Sequence, residues 1–448
     1  MERELRYVWQ TVQTKPWNSG ETGLVKYVIV GNSVAAIAAV EAIRKHDGDG
    51  EITVISDEPY SAYSRPLITY ALAGKISEDS IFYRDKNFYY KNKVETILGI
   101  KVTSLNTKEK YVTLKDGDEI HFDKLLISTG GTPISPNIRG RDLHGVFTFT
   151  KLDDLKRVRE YIHQYRVGEA VVVGGGLIGL KTAEALTMLK IKVSIVELAD
   201  RILSVTFDKK ASSIIERSLR KIGCEVITGN TVSEIKGRDR VSAVILKDGK
   251  KINCGMVILA IGVTPNIDLI KNTDIKVNRG ILVDNHMQTN IPDIYAAGDV
   301  SECVDLIGGA TRPIAIWPNA YRQGNVAGYN MAGIPKEYTG SIVMNSIELC
   351  NIPTISMGLT DPEGDEYEII EHYNDEKQVY KRIVLKGKII VGAIFISNID
   401  RGGIYRNLII EKIDVSSFKE HILKEDFGLI SLPKEYRKHL VSGPGLEV

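Results

Sequence analysis

The sequence is sparing with cysteine and keeps what it has apart. Cys224, Cys254, Cys303 and Cys350 are the only four in 448 residues, and no two stand at CxxC spacing. A dithiol pair, a zinc knuckle or a cysteine-held cluster therefore has no local ligand set. Scattered thiols in a chain of this size read as buried packing residues in a reducing cytoplasm. No apolar run reaches the roughly 18 residues that a membrane-spanning helix needs. The opening MERELRYVWQ lacks the apolar stretch of a secretory signal. Nor does one charge prevail: 58 Lys and Arg face 57 Asp and Glu, a net charge of +1. That balance argues against a nucleic-acid binder. There is no HExxH and no Ser/His/Asp signature, and the 8 histidines are dispersed. His286, in DNHMQT, reads as structural.

Glycine, by contrast, is abundant at 40, and it clusters. The length suggests about three domains. Residues 1–23 show no periodicity and end in NSGETG, so they read as an extension. From Lys26 the text becomes regular: YVIV, the turn GNS, an Ala-rich helical stretch from Val34 to Lys45, then EITVIS. That is a βαβ unit. The same grammar returns from Ala170 as AVVVGGG, LIGLKTAEALTMLK and KVSIVEL. Each copy is followed by strands around a DG turn, VTLKDGDEI with FDKLLISTGG in the first and AVILKDGKKI with MVILAIG in the second. This is a duplication at domain scale. Beyond Pro335, EYEIIEHYN, KRIVLKGKIIVGAIFI and NLIIEKIDV predict an antiparallel sheet with KGK as a hairpin turn. The tail from Phe418 predicts helix.

The first glycine turn, Gly31-Asn-Ser33-Val-Ala35-Ala36, fits a dinucleotide fingerprint in which Ser33 and Ala36 replace the second and third glycines. Small residues there let the backbone approach a pyrophosphate and let the helix pack on the strand. The pyrophosphate then rests on the helix N-terminus. An acidic residue about 20 positions on should take the ribose hydroxyls; either Asp57 or Glu58 serves. The second turn, Gly174-Gly-Gly176-Leu177-Ile178-Gly179, is a full GxGxxG, and Glu197 closes the next strand. A carboxylate there accepts from a 2′-hydroxyl and opposes a 2′-phosphate, which favours NADH over NADPH.

Two such turns in this order resemble the pyridine nucleotide–disulfide oxidoreductases, and in particular their thiol-free branch: rubredoxin reductases, the flavin part of nitrite reductases, and ferredoxin reductases. The resemblance implies an α/β fold of two nested Rossmann-like domains, for FAD and NAD, plus a C-terminal α+β domain. The implied FAD domain spans 24–145 and 268–335, the NAD domain 146–267, and an interface domain 336–448. It also assigns residues. Val102 belongs to a strand laid against the adenine. Thr129 and Gly130 end one strand near the FAD, and Gly262 ends its counterpart in the second copy. Gly298 and Asp299, in IYAAGD, hold the ribityl chain. Trp317, Asn319 and Ala320 open a helix aimed at the flavin, whose dipole stabilises the reduced form.

The departures from the family matter as much. Where thiol-dependent members carry cysteine, this chain reads Pro59-Tyr-Ser-Ala-Tyr-Ser-Arg65-Pro66-Leu-Ile-Thr-Tyr70. Arg65 and Pro66 match the segment that the branch lays on FAD, but Tyr70 replaces a basic residue. Lys181 replaces a frequent Glu, and either faces solvent or contacts the nicotinamide side. The implied chemistry is hydride transfer from NADH to FAD, then electron delivery to a redox protein or to an iron–sulfur or metalloenzyme partner. The chain would act in the cytoplasm, as a homodimer or as a subunit of a larger complex, with no nucleic acid and no membrane span. Tyr7, Trp9 and Trp17, and the segment Asn398–Tyr405, are candidate partner contacts. Two other readings stay open: a peroxide-forming NADH oxidase, and a non-catalytic flavoprotein scaffold or redox sensor.

Overall fold

The structure, a computed structural model, describes residues 23–434, 436 and 437; Tyr7, Trp9 and Trp17 lie outside these. Its centre is a parallel sheet with strand order 294–296, 124–127, 26–30, 51–56, 94–98. Tyr27 to Val30 are all buried, as a strand covered on both faces requires. The following helix, Val34–His46, buries five alanines along with Val34, Ile37, Val40 and Ile43. Its smallness has a partner: the helix Trp317–Met331 crosses it so closely that a Cβ on Gly324 would run into the Ala35 carbonyl.

A second parallel sheet repeats the plan, in the order 225–227, 192–196, 169–173, 256–259, 146–148. Val30 pairs with Ile55 in the first sheet, and Val173 pairs with Val196 in the second. Each half adds a three-stranded antiparallel ribbon, 102–106 with 111–114 and 119–121, and 232–237 with 241–246 and 251–253. The chain passes between the halves along two short antiparallel strands, 131–133 and 263–265.

The C-terminal part is a five-stranded antiparallel sheet, ordered 344–349, 352–358, 389–396, 379–386, 367–374. The expected KGK hairpin is present, with Lys386 opposite Ile389. One expectation fails. NLIIEKIDV is not a strand: Gly402–Ile410 is a helix whose buried residues Gly402, Tyr405, Leu408 and Ile409 recur at helical spacing. The consecutive Leu408, Ile409 and Ile410 imitate a strand only when the positions before them are ignored. The tail from Phe418 first forms short 3-10 turns, at Lys419–His421 and Leu429–Ser431, and is α-helical only at Lys434, Tyr436 and Arg437 among the described residues. In the candidate contact at Asn398–Tyr405, Asp400, Arg401 and Gly403 are exposed while Gly402 and Tyr405 face inward. Tyr405 is buried and its hydroxyl donates to the Ile422 carbonyl at 2.5 Å, while Arg401 donates to the carbonyls of Asp426 and Phe427.

Candidate functional site

Both glycine turns have one geometry. Gly31 sits at φ +114 and Gly174 at φ +113, where only glycine is at ease, and each Cα faces a carbonyl oxygen of the neighbouring strand end, Ser128 or Ala260. Gly179 is packed so closely on the Gly174 carbonyl that no side chain fits, whereas the first turn has room for Ala36. Gly176 differs from all of these: nothing lies within 4 Å of where its Cβ would be. Ser33 and Gly176 are the N-cap residues of the helices Val34–His46 and Leu177–Met188, and neither helix has a side-chain cap. The first intrahelical bonds are donated by Ile37 and Leu180. The N–H groups of Val34, Ala35 and Ala36, and of Leu177, Ile178 and Gly179, are therefore left for a ligand. Ile178 is partly exposed on this edge.

Glu197 is fixed by two backbone donors, Gly175 N at 2.5 Å and Ala199 N at 2.8 Å. The sheet register places Ser56, not an acid, at the corresponding point of the first unit, since Ser56 follows Ile55 as Glu197 follows Val196. Ser56 Oγ accepts from Glu58 N at 3.2 Å, reproducing the Glu197–Ala199 bond. Sequence reasoning passed over Ser56, although alignment of the two repeats points to it. The neighbouring acids part company. Asp57 is half-exposed and pairs with Lys151 at 3.0 Å. Glu58 is buried and accepts from Tyr63 Oη and Arg65 Nη2, each at 2.6 Å.

Arg65 and Pro66 open a 3-10 turn, with Pro66 exposed and Arg65 also donating to the Thr150 carbonyl at 3.0 Å. Burial pushes the Tyr63 phenol and the Asp299 carboxyl upward, and the Arg65 guanidinium opposes the rise at Asp299. Thus the charge of Arg65, from the segment after the second strand, acts on Asp299, from the end of the fifth, without an ion pair between them. Gly298, at φ +85, donates its N–H to Gln323 Oε1 at 2.8 Å. The Gln323 Nε2 beside it is buried and has no partner. The helix Trp317–Met331 begins where expected. Asn319, however, turns its side chain into the protein, donating to the Ile314 carbonyl and accepting from Tyr338, with buried Ala320 next to it.

The remaining assigned residues line the strand ends. Thr129 Oγ1 donates to the Asn266 carbonyl at 2.7 Å, and Gly130 and Gly262 both take positive φ. Val102 starts its strand, buried. Lys181 does not face solvent: it is buried and ion-paired to Glu184 at 2.7 Å. The thiols are remote from these turns in chemistry as well as in sequence. Burial raises all four, Cys254 and Cys350 to about 12, so they stay protonated and poorly nucleophilic. Among the described residues no group of His, Cys, Asp and Glu is arranged to hold a metal, and no helix is long and apolar enough to cross a membrane.

Residues 25–324 match the family model described as pyridine nucleotide-disulphide oxidoreductase, and 344–413 match that of the rubredoxin NAD+ reductase C-terminal domain. A phenylglyoxylate dehydrogenase subunit epsilon, described as NADH-dependent, from Aromatoleum evansii is 32% identical over 402 residues, covering 89% of this chain and 94% of that protein. An NADH oxidase of Methanocaldococcus jannaschii is 35% identical over 322 residues, 70% of this chain and 71% of its own. Among solved structures, the NADH:rubredoxin oxidoreductase of Clostridium acetobutylicum aligns with a TM-score of 0.73 at 27% identity, covering 88% of this chain and 96% of that one. Duplicated glycine turns, nested parallel sheets and an antiparallel C-terminal sheet thus coincide with a family match over most of the length, and the chain belongs to the pyridine nucleotide-disulphide oxidoreductase family.

Proposed function

We propose that this chain is an FAD-dependent NADH reductase that hands electrons to a separate redox protein or metalloenzyme without using a cysteine. The observation that carries it is the pair of uncapped helix N-termini on equivalent glycine turns, with no cysteine before residue 224 to act as a relay. Bound FAD supplies the bond chemistry, accepting a hydride and releasing electrons onward.

The residues divide the remaining work. Gly31, Ser33, Ala35 and Ala36 cradle the FAD pyrophosphate, and Glu58 takes the ribose, since each of its oxygens keeps a free lone pair beside Tyr63 and Arg65. Asp57, facing Lys151 and solvent, is the weaker candidate. Arg65, Pro66, Gly298 and Asp299 border the ribityl chain, where the unpartnered Gln323 amide supplies a further donor. Val102, Thr129 and Gly130 lie along the nucleotide, and the backbone at Trp317, Asn319 and Ala320 presents a helix start to the ring. Gly174, Gly176, Leu177, Ile178 and Gly179 cradle NADH, Gly262 borders it, and Glu197 sets the preference for NADH. We assign 24–145 with 268–335 to FAD, 146–267 to NAD and 336–448 to an interface domain.

The relatives support a protein acceptor: one is named for rubredoxin and another is one subunit of a larger enzyme. The oxidase reading is kept because one relative is an NADH oxidase. Anaerobic mixing with NADH, followed by air or by an iron protein of rubredoxin type, separates them. The reductase bleaches fast, reoxidises slowly in air and quickly with the iron protein. Equally fast reoxidation in air would establish the oxidase instead, and no bleaching with FAD bound would sink both.

A further inference from the structure

Two tyrosines join the halves beside the first glycine turn. Tyr60 and Tyr63 follow the strand 51–56, and their rings meet edge to face with centroids 6.5 Å apart. Asn32, the residue after Gly31 in the turn, donates from Nδ2 to the Tyr60 carbonyl at 3.1 Å. The Tyr60 hydroxyl donates to Asp153 Oδ1 at 2.5 Å. Tyr63 is buried, and its hydroxyl accepts from Leu152 N at 2.9 Å while donating to Glu58. Leu152 and Asp153 belong to the second half, where they open the helix Leu152–Tyr165 just after the strand 146–148 of the second sheet.

Each bond meets a need of its partner. Leu152 is the first residue of its helix and is buried, so its N–H finds no carbonyl within the helix. Asp154 takes the N–H groups of Thr150 and Lys151 and leaves that of Leu152 to Tyr63. Moving the helix start away from Tyr63 would strand a buried donor, which is costly. Lys156 Nζ lies 3.2 Å from the Tyr60 hydroxyl and 4.3 Å from the centre of its ring, so the second half holds Tyr60 on its face as well as at its tip. Tyr60 alone therefore separates a residue of the first glycine turn from the first helix of the second half. The neighbouring ion pairs of Glu78 with Lys156 and Arg159 are looser ties, since all three side chains reach solvent.

We infer that Tyr60 and Tyr63 are positioning residues that set the angle at which the NADH-bearing half meets the FAD-bearing half. This rests on the assignment of FAD and NADH above. The two nucleotides start from helix N-termini in different halves, so that angle decides how the nicotinamide meets the flavin. Neither tyrosine has to touch a nucleotide, because a transfer between two bound rings is sensitive to a misplacement of about 1 Å that originates far from the reacting atoms.

The test is stopped-flow bleaching of the FAD-loaded protein by NADH, with FAD content measured first. Titration of the reduced protein with NAD+ is the second readout, since a nicotinamide stacked on reduced flavin absorbs at long wavelength. In the double variant Tyr60→Phe with Tyr63→Phe, Arg65 still holds Glu58, so FAD should be retained and half-saturating NADH should stay within twofold. The limiting bleaching rate should fall about tenfold, and the long-wavelength band should weaken in step. Tyr60→Phe alone, at a half-buried position, should show the same split at about threefold and serves where the double variant fails to fold. Glu78→Gln, which removes the exposed ion pairs of the same seam, should leave both readouts within twofold. Tyrosine variants that melt earlier yet keep rate and band within twofold would mark a purely structural tie and overturn the inference. Absence of FAD from the parent protein would refute the cofactor assignment instead.

Discussion

Two glycines of the second turn should respond to the same substitution in opposite ways. Gly174 combines φ +113 with a Cβ position under 3.0 Å from the Ala260 carbonyl oxygen. Alanine there adds a strained backbone, about 1–3 kcal/mol, and an overpacked contact against backbone, again about 1–3 kcal/mol. Together they reach about 2–6 kcal/mol, a drop in melting temperature of roughly 5–20 °C for a half of this size. Gly176 has φ −82 and open space around it. Alanine there meets no neighbour, and its poorer fit as an N-cap is offset by its restriction of the unfolded chain, so stability should stay within about 1 kcal/mol of the parent. On the proposed assignment, its methyl would occupy the approach of the NADH pyrophosphate to the helix N-terminus. Losing one good bond to a charged group, about 1.5–3 kcal/mol, weakens NADH roughly 10- to 150-fold. Scanning calorimetry and NADH titration of flavin bleaching read the two effects separately, with FAD content as the control on the first turn. If Gly176→Ala bound NADH like the parent, the phosphate would not rest on this turn.

Other substitutions probe other links. Glu197→Ala removes the acceptor of Gly175 N and Ala199 N, and should raise the NADH-over-NADPH ratio of half-saturating concentrations at least tenfold; a parent that takes both equally would refute the argument. Asp208→Ala removes an N-cap and the shared acceptor of Tyr380 and Arg382 that ties the C-terminal sheet to the second half, so urea unfolding should show a loss of about 2 kcal/mol or more. Because burial raises all four thiols, alkylation at pH 8 should leave flavin bleaching by NADH intact; rapid inactivation would point to a reactive thiol. The same shifts make stability fall as pH climbs past about 9, where the unfolded chain ionises its thiols and the folded one does not, a trend that melting temperatures against pH would detect.

Local signals in the sequence determined the duplicated core. A β-branched run, a small-residue turn and an amphipathic or Ala-rich helix specify a βαβ unit through contacts within some 30 residues, and a repeat of that order specifies a second one. The absence of cysteine from the first 223 residues likewise removes the thiol at the position where thiol-dependent members of the family carry one. The failures came where neighbours far along the chain decide. Leu408-Ile409-Ile410 suits a strand or a helix equally, and Tyr405 and Gly402 on one buried face settle it as a helix. Glu58 and Asp57 are adjacent acids in the sequence, and only the arrival of Tyr63, Arg65 and Lys151 makes one buried and the other a surface ion pair. Lys181 could have pointed anywhere around its helix. Tyr70 from one half and a carbonyl from the C-terminal sheet fix its place, because a buried ammonium needs its hydrogen bonds and its counter-charge wherever the chain supplies them.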